Sequence, residues 1–149
     1  MTVGEHCNRE VIVITGEESI KVAAQLMRKH HVGDVVLVEE RKGKRVPVGI
    51  VTDRDLVVEV MAPGLAPEEL AVRDIVVDSP FLVREEDSLF DVLEMMRGRR
   101  VRRVPVVDAD GELVGIIAVD DLIGLLAEML DDMAAVVGRQ REREIERRP

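Results

Sequence analysis

Thr52 and Asp55 stand three residues apart just after an apolar run, which puts a hydroxyl and a carboxylate together on the first turn of a helix. The plain use of such a pair is a capping box, each side chain satisfying a backbone N–H that the helix leaves unbonded. A second carboxylate, Asp121, follows an equivalent apolar run, but Ala118 stands where Thr52 stood. The cationic counterpart is a cluster of five arginines, Arg97, Arg99, Arg100, Arg102 and Arg103, which reads as a solvated charge run or as an anion-binding edge. Other groups weigh less. His30 and His31 fit the negative C-terminal end of a helix better than a metal, and Asp53, Asp55 and Glu59 do not make a dedicated magnesium site. For nucleophilic catalysis there is no Ser, Cys or Lys with a base at recognisable spacing.

The two carboxylates belong to two copies of one unit. Val48-Gly49-Ile50-Val51-Thr52-Asp53-Arg54-Asp55-Leu56 returns 66 positions later as Val114-Gly115-Ile116-Ile117-Ala118-Val119-Asp120-Asp121-Leu122. Upstream the offset becomes 69, because the first copy has three extra residues around Lys42-Gly43-Lys44, as expected of a surface hairpin loop. At the longer offset Val3, Ser19, Met27 and Val35 meet Val72, Ser88, Met96 and Val104. The expected organisation is repeat one over 1–62, a Pro and Gly linker over 63–71, repeat two over 72–127 and a helical extension over 128–149.

Within each copy the apolar period switches between helix and strand. Ile20, Ala23, Ala24 and Met27 mark one buried helical face, matched by Leu89, Val92, Leu93 and Met96. Strands are expected at Val35–Val38 and Val46–Val51, and at Val104–Val107 and Leu113–Ile117, each pair joined by a turn. A short strand opens each unit, near Val11 to Ile14 and Phe81 to Val83, and a further helix begins at Thr52 or Val119. The order per copy is β-α-β-β-α, an α/β (α+β) fold. Fewer than 60 residues bury too little surface alone, so the copies should pack on each other. After the second copy the helical pattern continues through Leu122, Leu126, Met129, Met133 and Val137 into the charged stretch Arg139–Glu146, a protruding apolar stripe of the kind that makes dimer contacts.

Composition narrows the partners. With 46% hydrophobic residues, no Trp or Tyr and only Phe81 and Phe90, the core must be aliphatic, and any bound ring would be gripped by aliphatic side chains. The net charge of −9 opposes non-specific binding to nucleic acid or acidic membranes. No apolar run is long enough for a membrane span, the start lacks the regions of a signal peptide, and the single Cys7 cannot form an internal disulfide. A cytoplasmic location is the expectation.

Two β-α-β-β-α units, with Val101-Arg102-Arg103-Val104-Pro105-Val106-Val107-Asp108 followed by Gly115-Ile116-Ile117 and the whole doubled, resemble a tandem pair of CBS (cystathionine-β-synthase-like) domains, a Bateman module. The resemblance covers about nine-tenths of the chain. It implies two repeats packed with pseudo-twofold symmetry, commonly as a homodimer with four repeats in a flat disc. It also implies a sensor, not a catalyst, that binds AMP, ADP or ATP, or in some members NAD or S-adenosylmethionine, between the repeats with no metal required. By that resemblance Asp55 accepts hydrogen bonds from the ribose hydroxyls beside Thr52, the adenine lies against Ile50, Val76 and Phe81, and Arg102 and Arg103 take phosphate oxygens. Arg54 adds a phosphate contact or faces water, and the remaining arginines stay solvated.

The same alignment predicts unequal clefts. Around Asp121, Asp120 replaces Arg54, while Gly33 and Asp34 replace Arg102 and Arg103, so carboxylates stand where a phosphate needs cations. One nucleotide per chain, at the Asp55 cleft, is the expectation. With no effector domain in the chain, the regulated activity would lie on another chain, as yet unknown, or on a self-assembled dimer. The alternative is a structural or interaction module whose nucleotide sites have decayed.

Overall fold

In a computed structural model of the chain, which describes residues 1–76 and 80–148, the polypeptide forms two compact units, Met1–Ile117 and Ala118–Pro149. The first unit holds two three-stranded sheets. It opens with a short helix α1 (Val3–His6), followed by β1 (Val13–Thr15), α2 (Ile20–His30), β2 (Asp34–Arg41) and β3 (Lys44–Thr52). In this sheet, ordered β1-β2-β3, β1 is parallel to β2 and β2 is antiparallel to β3. A one-turn helix α3 (Asp53–Asp55) leads into a π-helical turn (Leu56–Met61), and a 3-10 turn (Val72–Asp74) opens the second repeat. There β4 (Val83–Arg84), α4 (Leu89–Arg99), β5 (Arg103–Val107) and β6 (Leu113–Ala118) build a sheet ordered β4-β5-β6. The second unit is the long helix α5 (Val119–Arg147).

The helices start and stop where local chemistry dictates. Ser19 caps α2 by accepting the Val22 N–H at 3.2 Å, and Ser88 caps α4 by accepting the Phe90 N–H at 3.3 Å. Both end on a left-handed residue, His31 and Arg100. Ile20, Ala23 and Met27 are buried in α2, and Leu89, Val92 and Met96 in α4. Ala24 and Leu93, expected on the same faces, are exposed. The reason in α2 is a rotation of the buried face, since its further core contacts come from Val22 and Leu26 on the side away from Ala24.

What joins the repeats is an exchange of their opening segments. The N-terminal residues lie on repeat two: Val3 N–H donates to Asp87 C=O at 2.9 Å and Gly4 N–H to Glu85 C=O at 2.8 Å. The residues opening repeat two lie on repeat one: Val72 N–H donates to Glu18 C=O at 2.9 Å and Arg73 N–H to Gly16 C=O at 3.2 Å. At the offset of 69 these are the same bonds twice over, which establishes the pseudo-twofold symmetry. Val3 and Val72 are both fully buried. Between the sheets Val36, Val38 and Leu113 form a second core with Val11, Val13, Ile50 and Ile116 around them.

Two glycines carry the closest approaches of this exchange. A Cβ at Gly49 would come within 2.4 Å of Val76 Cγ1, and one at Gly115 within 2.6 Å of Cys7 Sγ. Val76 and Cys7 are counterparts, each pressed onto the other repeat's strand, so Cys7 serves as a small packing group. Gly49→Ala should therefore cost about 1–3 kcal/mol by overpacking. In urea denaturation the double variant Gly49→Ala/Val76→Ala should recover most of that loss, whereas equal losses in the single and double variants would rule out the contact as the cause.

Candidate functional site

β3 delivers Ile50 and, two residues on, the Thr52–Asp55 pair. Thr52 Oγ1 accepts the Asp55 N–H at 3.1 Å and Asp55 Oδ2 accepts the Thr52 N–H at 2.9 Å, a complete capping box. Both residues are half-buried. The cap occupies one Asp55 oxygen in one bond, and a carboxylate has about four acceptor positions, so capping leaves room for a ligand. Behind Asp55 the backbone widens into the π-helical turn, where Ala62 N–H reaches back five residues to Val57 C=O at 2.8 Å. At the equivalent place in repeat two, Asp121 Oδ2 accepts the Ala118 N–H at 3.0 Å, and alanine has no hydroxyl to reciprocate.

Three of the expected contact residues meet in one cavity. Ile50 from β3, Phe81 from the segment before β4 and Arg103 from β5 line a space of about 460 Å³ together with Pro80, Arg99, Val101 and Pro105. That volume lies within the usual range of small-molecule pockets. Val76 does not line it, since it packs on Gly49 and the repeat-one core. Thr52 and Asp55, half-buried at the end of β3, and the exposed Arg54 and Arg102 are outside the lining, and Asp121 lies exposed on α5 in the other unit.

Arg99, expected to be merely solvated, is exposed but stands with its guanidinium 5.2 Å from the centre of the Phe81 ring, a cation–π distance. Its position two residues before the Val101–Asp108 motif, at the end of α4, was the available signal. Arg103 is not idle either. Its Nε lies 2.7 Å from Asp34 Oδ2, with the two side chains only 32% and 15% exposed. Asp34, expected to oppose a phosphate in the other cleft, instead holds a cation of this one. The pairing was implicit in the alignment, because Asp34 and Arg103 are counterparts at the offset of 69, and counterparts close to a twofold axis must meet.

Burial raises the Asp34 carboxyl above its ordinary range; Arg103 opposes the rise and the Asp53 carboxylate adds to it. A second cavity, of about 450 Å³, is lined by Thr15, Glu17, Glu39, Glu40 and Arg73 among others. With three carboxylates to one guanidinium it disfavours an anion, whereas the Ile50–Phe81 cavity presents Arg99 and Arg103. Among the described residues no three His, Cys, Asp or Glu side chains group to hold a metal ion, and no helix is long and apolar enough to cross a membrane.

The doubled β-α-β-β-α unit with exchanged opening segments has a known counterpart, since the family model of the CBS domain matches residues 3–62 and again 72–128. The chain belongs to the CBS domain family. This CBS pair is 37% identical over 123 residues to an uncharacterized protein of Methanopyrus kandleri, the match taking in 83% of this chain and 61% of that one, less than two thirds of the relative's length. It is 32% identical over 127 residues to Hypoxic response protein 1 of Mycobacterium tuberculosis, covering 85% and 86% of the two chains. A CBS domain protein from Pyrobaculum aerophilum, solved in complex with AMP, is similar with a TM-score of 0.75 and 28% identity, covering 88% of this CBS pair and 99% of that chain.

The Asp34 shift makes a signed prediction. A carboxyl whose folded pKa is raised supports folding most when protonated, and its contribution is lost as pH rises from the ordinary value of 3.8 through the raised folded value. The stability of Asp34→Asn relative to the parent should accordingly increase across that window and level off above it. Chemical denaturation of both proteins at several pH values checks this, and a difference that shrinks as pH rises would mean that Arg103 outweighs burial.

Proposed function

We propose that this CBS pair is a regulatory module that binds an adenine nucleotide, with AMP, ADP and ATP as the favoured ligands, and reports occupancy to a partner protein. The observation that carries the reading is the meeting of Ile50, Phe81 and Arg103, from both repeats, in one cavity served by two guanidinium groups. In this reading the adenine packs against Ile50 and Phe81. Asp55, keeping its cap bond to the Thr52 backbone, accepts from the ribose hydroxyls. Arg103 turns from Asp34 to the phosphate, with Arg102 and Arg54 on the exposed side. The AMP complex of the Pyrobaculum aerophilum relative supports the ligand class. Transmission requires that the ligand favour one conformation over another, and exchange of Arg103 between Asp34 and phosphate supplies such a difference. The exposed apolar residues of α5 favour a homodimer as the working form.

Calorimetry with AMP and ATP tests the site. One nucleotide should bind per chain, and Asp55→Asn, which retains an acceptor for the cap, should weaken binding at least tenfold by losing charge-assisted hydrogen bonds worth about 1.5–3 kcal/mol each. Asp55→Ala should abolish binding at a folding cost of about 0.5–2 kcal/mol, and Asp121→Ala should leave affinity nearly unchanged. Unaltered affinity in Asp55→Asn would reduce the motif to capping, and no binding of any adenine nucleotide would leave an interaction module.

The same titration on Asp34→Asn isolates the exchange. With Arg103 no longer held by a carboxylate and one negative charge removed, AMP should bind several-fold more tightly. Weaker binding would mean that the Asp34 pair positions Arg103 and does not compete for it.

A further inference from the structure

Arg103 stands between two carboxylates of the other repeat. Asp34 is the first, with Oδ2 2.7 Å from Arg103 Nε. The second is Asp53. A Cβ at Gly33 would lie 3.2 Å from Asp53 Oδ2 and 3.7 Å from Arg103 Nη2, so both groups border the space that a side chain at Gly33 would fill. The backbone holds Asp53 there. Its N–H donates to Gly33 C=O at 2.9 Å, and its Oδ1 accepts the Arg54 N–H at 2.8 Å, which leaves Oδ2 on the Gly33 side. Asp53 is also close enough to Asp34 to push that carboxyl upward.

One guanidinium against two carboxylates sets a charge limit. When Arg103 leaves Asp34 for a phosphate, both carboxylates remain beside the place where that phosphate sits. The first phosphate gains the guanidinium in exchange, whereas each further phosphoryl group adds negative charge next to Asp34 and Asp53. Arg54, Arg99 and Arg102 offset this only weakly, because all three are exposed and screened by solvent and salt. Arg99 in addition stands over Phe81, at the end of the cavity assigned to the base. The Asp34 side chain, only 15% exposed, is screened less.

We propose that Asp34 and Asp53 make this site selective for an adenine nucleotide with one phosphate, AMP over ATP, by flanking the guanidinium that must receive the phosphate. The inference rests on the nucleotide reading above and deepens it, choosing among the ligands that reading allows and assigning Asp53 a part in the choice.

The test is calorimetry on the full chain with AMP and with ATP in magnesium-free buffer, read as the ratio of the two affinities. The parent should prefer AMP by about tenfold or more. Asp53→Asn, which keeps an oxygen for the Arg54 N–H, should narrow that preference about threefold, as should Asp34→Asn, while Asp53→Glu, which keeps the charge, should preserve it. The parent alone supplies a check that needs no variant: if repulsion sets the ratio, about 0.5 M salt should narrow it. ATP binding as tightly as AMP, or a preference that widens with salt, would overturn the proposal and leave nucleotide binding intact. A ratio unchanged in Asp53→Asn, or lost equally in Asp53→Glu, would remove Asp53 as a charge selector. Failure of both nucleotides to bind the parent would overturn this inference together with the reading on which it rests.

Discussion

Each repeat folds against a segment that belongs to the other. Val3 and Val72, both fully buried, occupy matching places in opposite halves, held by matching backbone bonds to Asp87 and Glu18. Neither half has a complete core without the other's opening residues, so the two sheets are bound to one another by chain connectivity as well as by the shared Val36, Val38 and Leu113 cluster. Gly49 and Gly115 follow from the same exchange, because a strand covered this closely by Val76 or Cys7 has no space for a Cβ. The cavity follows too. Its walls come from β3 of one repeat and from Phe81, Arg99 and β5 of the other, so the packing that joins the repeats also brings them together.

Pseudo-symmetry within one chain allows something that symmetry between identical copies does not. On an exact twofold axis a residue meets itself, so a charge there faces a like charge. Here counterparts are different residues, and one such pair is oppositely charged, Asp34 with Arg103 at 2.7 Å; a second ion pair between the repeats, Lys44 with Asp110 at 2.7 Å, joins their hairpin turns. The second pair is in the exposed hairpin turns, where solvent screening leaves an ion pair little energetic weight. The first is partly buried and adjoins the cavity, where its polarity has consequence. It leaves the Ile50–Phe81 cavity with a guanidinium on its wall at Arg103, while the carboxylate of the pair stands at the counterpart position.

Asp55 shows how one side chain can be structural and chemical together. Its carboxylate completes the cap of α3 through Oδ2, and that bond fixes its orientation at the end of β3, beside the strand that carries Ile50 into the cavity. Preorganisation of this kind lowers the entropy that a ligand must overcome. The π-helical turn behind it and the absence of a hydroxyl at Ala118 give the two repeats different surroundings for equivalent carboxylates.

The doubled unit, its β-α-β-β-α order and the capping pair at Thr52 and Asp55 were legible in the amino-acid sequence, because a repeat, a switch of apolar period and a hydroxyl three residues before a carboxylate are local patterns with local causes. The family resemblance also grouped Ile50, Phe81 and Arg103, and the three line one cavity. What only the tertiary structure decided was how the halves meet. Val76 turned out to be packing against Gly49 and outside the cavity lining, Ala24 and Leu93 turned outward, and Arg99 stood over Phe81. Asp34, assigned by alignment to the opposite cleft, closed on Arg103. Each of these depends on the rotation of a helix about its axis or the distance of a residue from the pseudo-twofold, and both are set by long-range packing between segments that no short window of sequence contains.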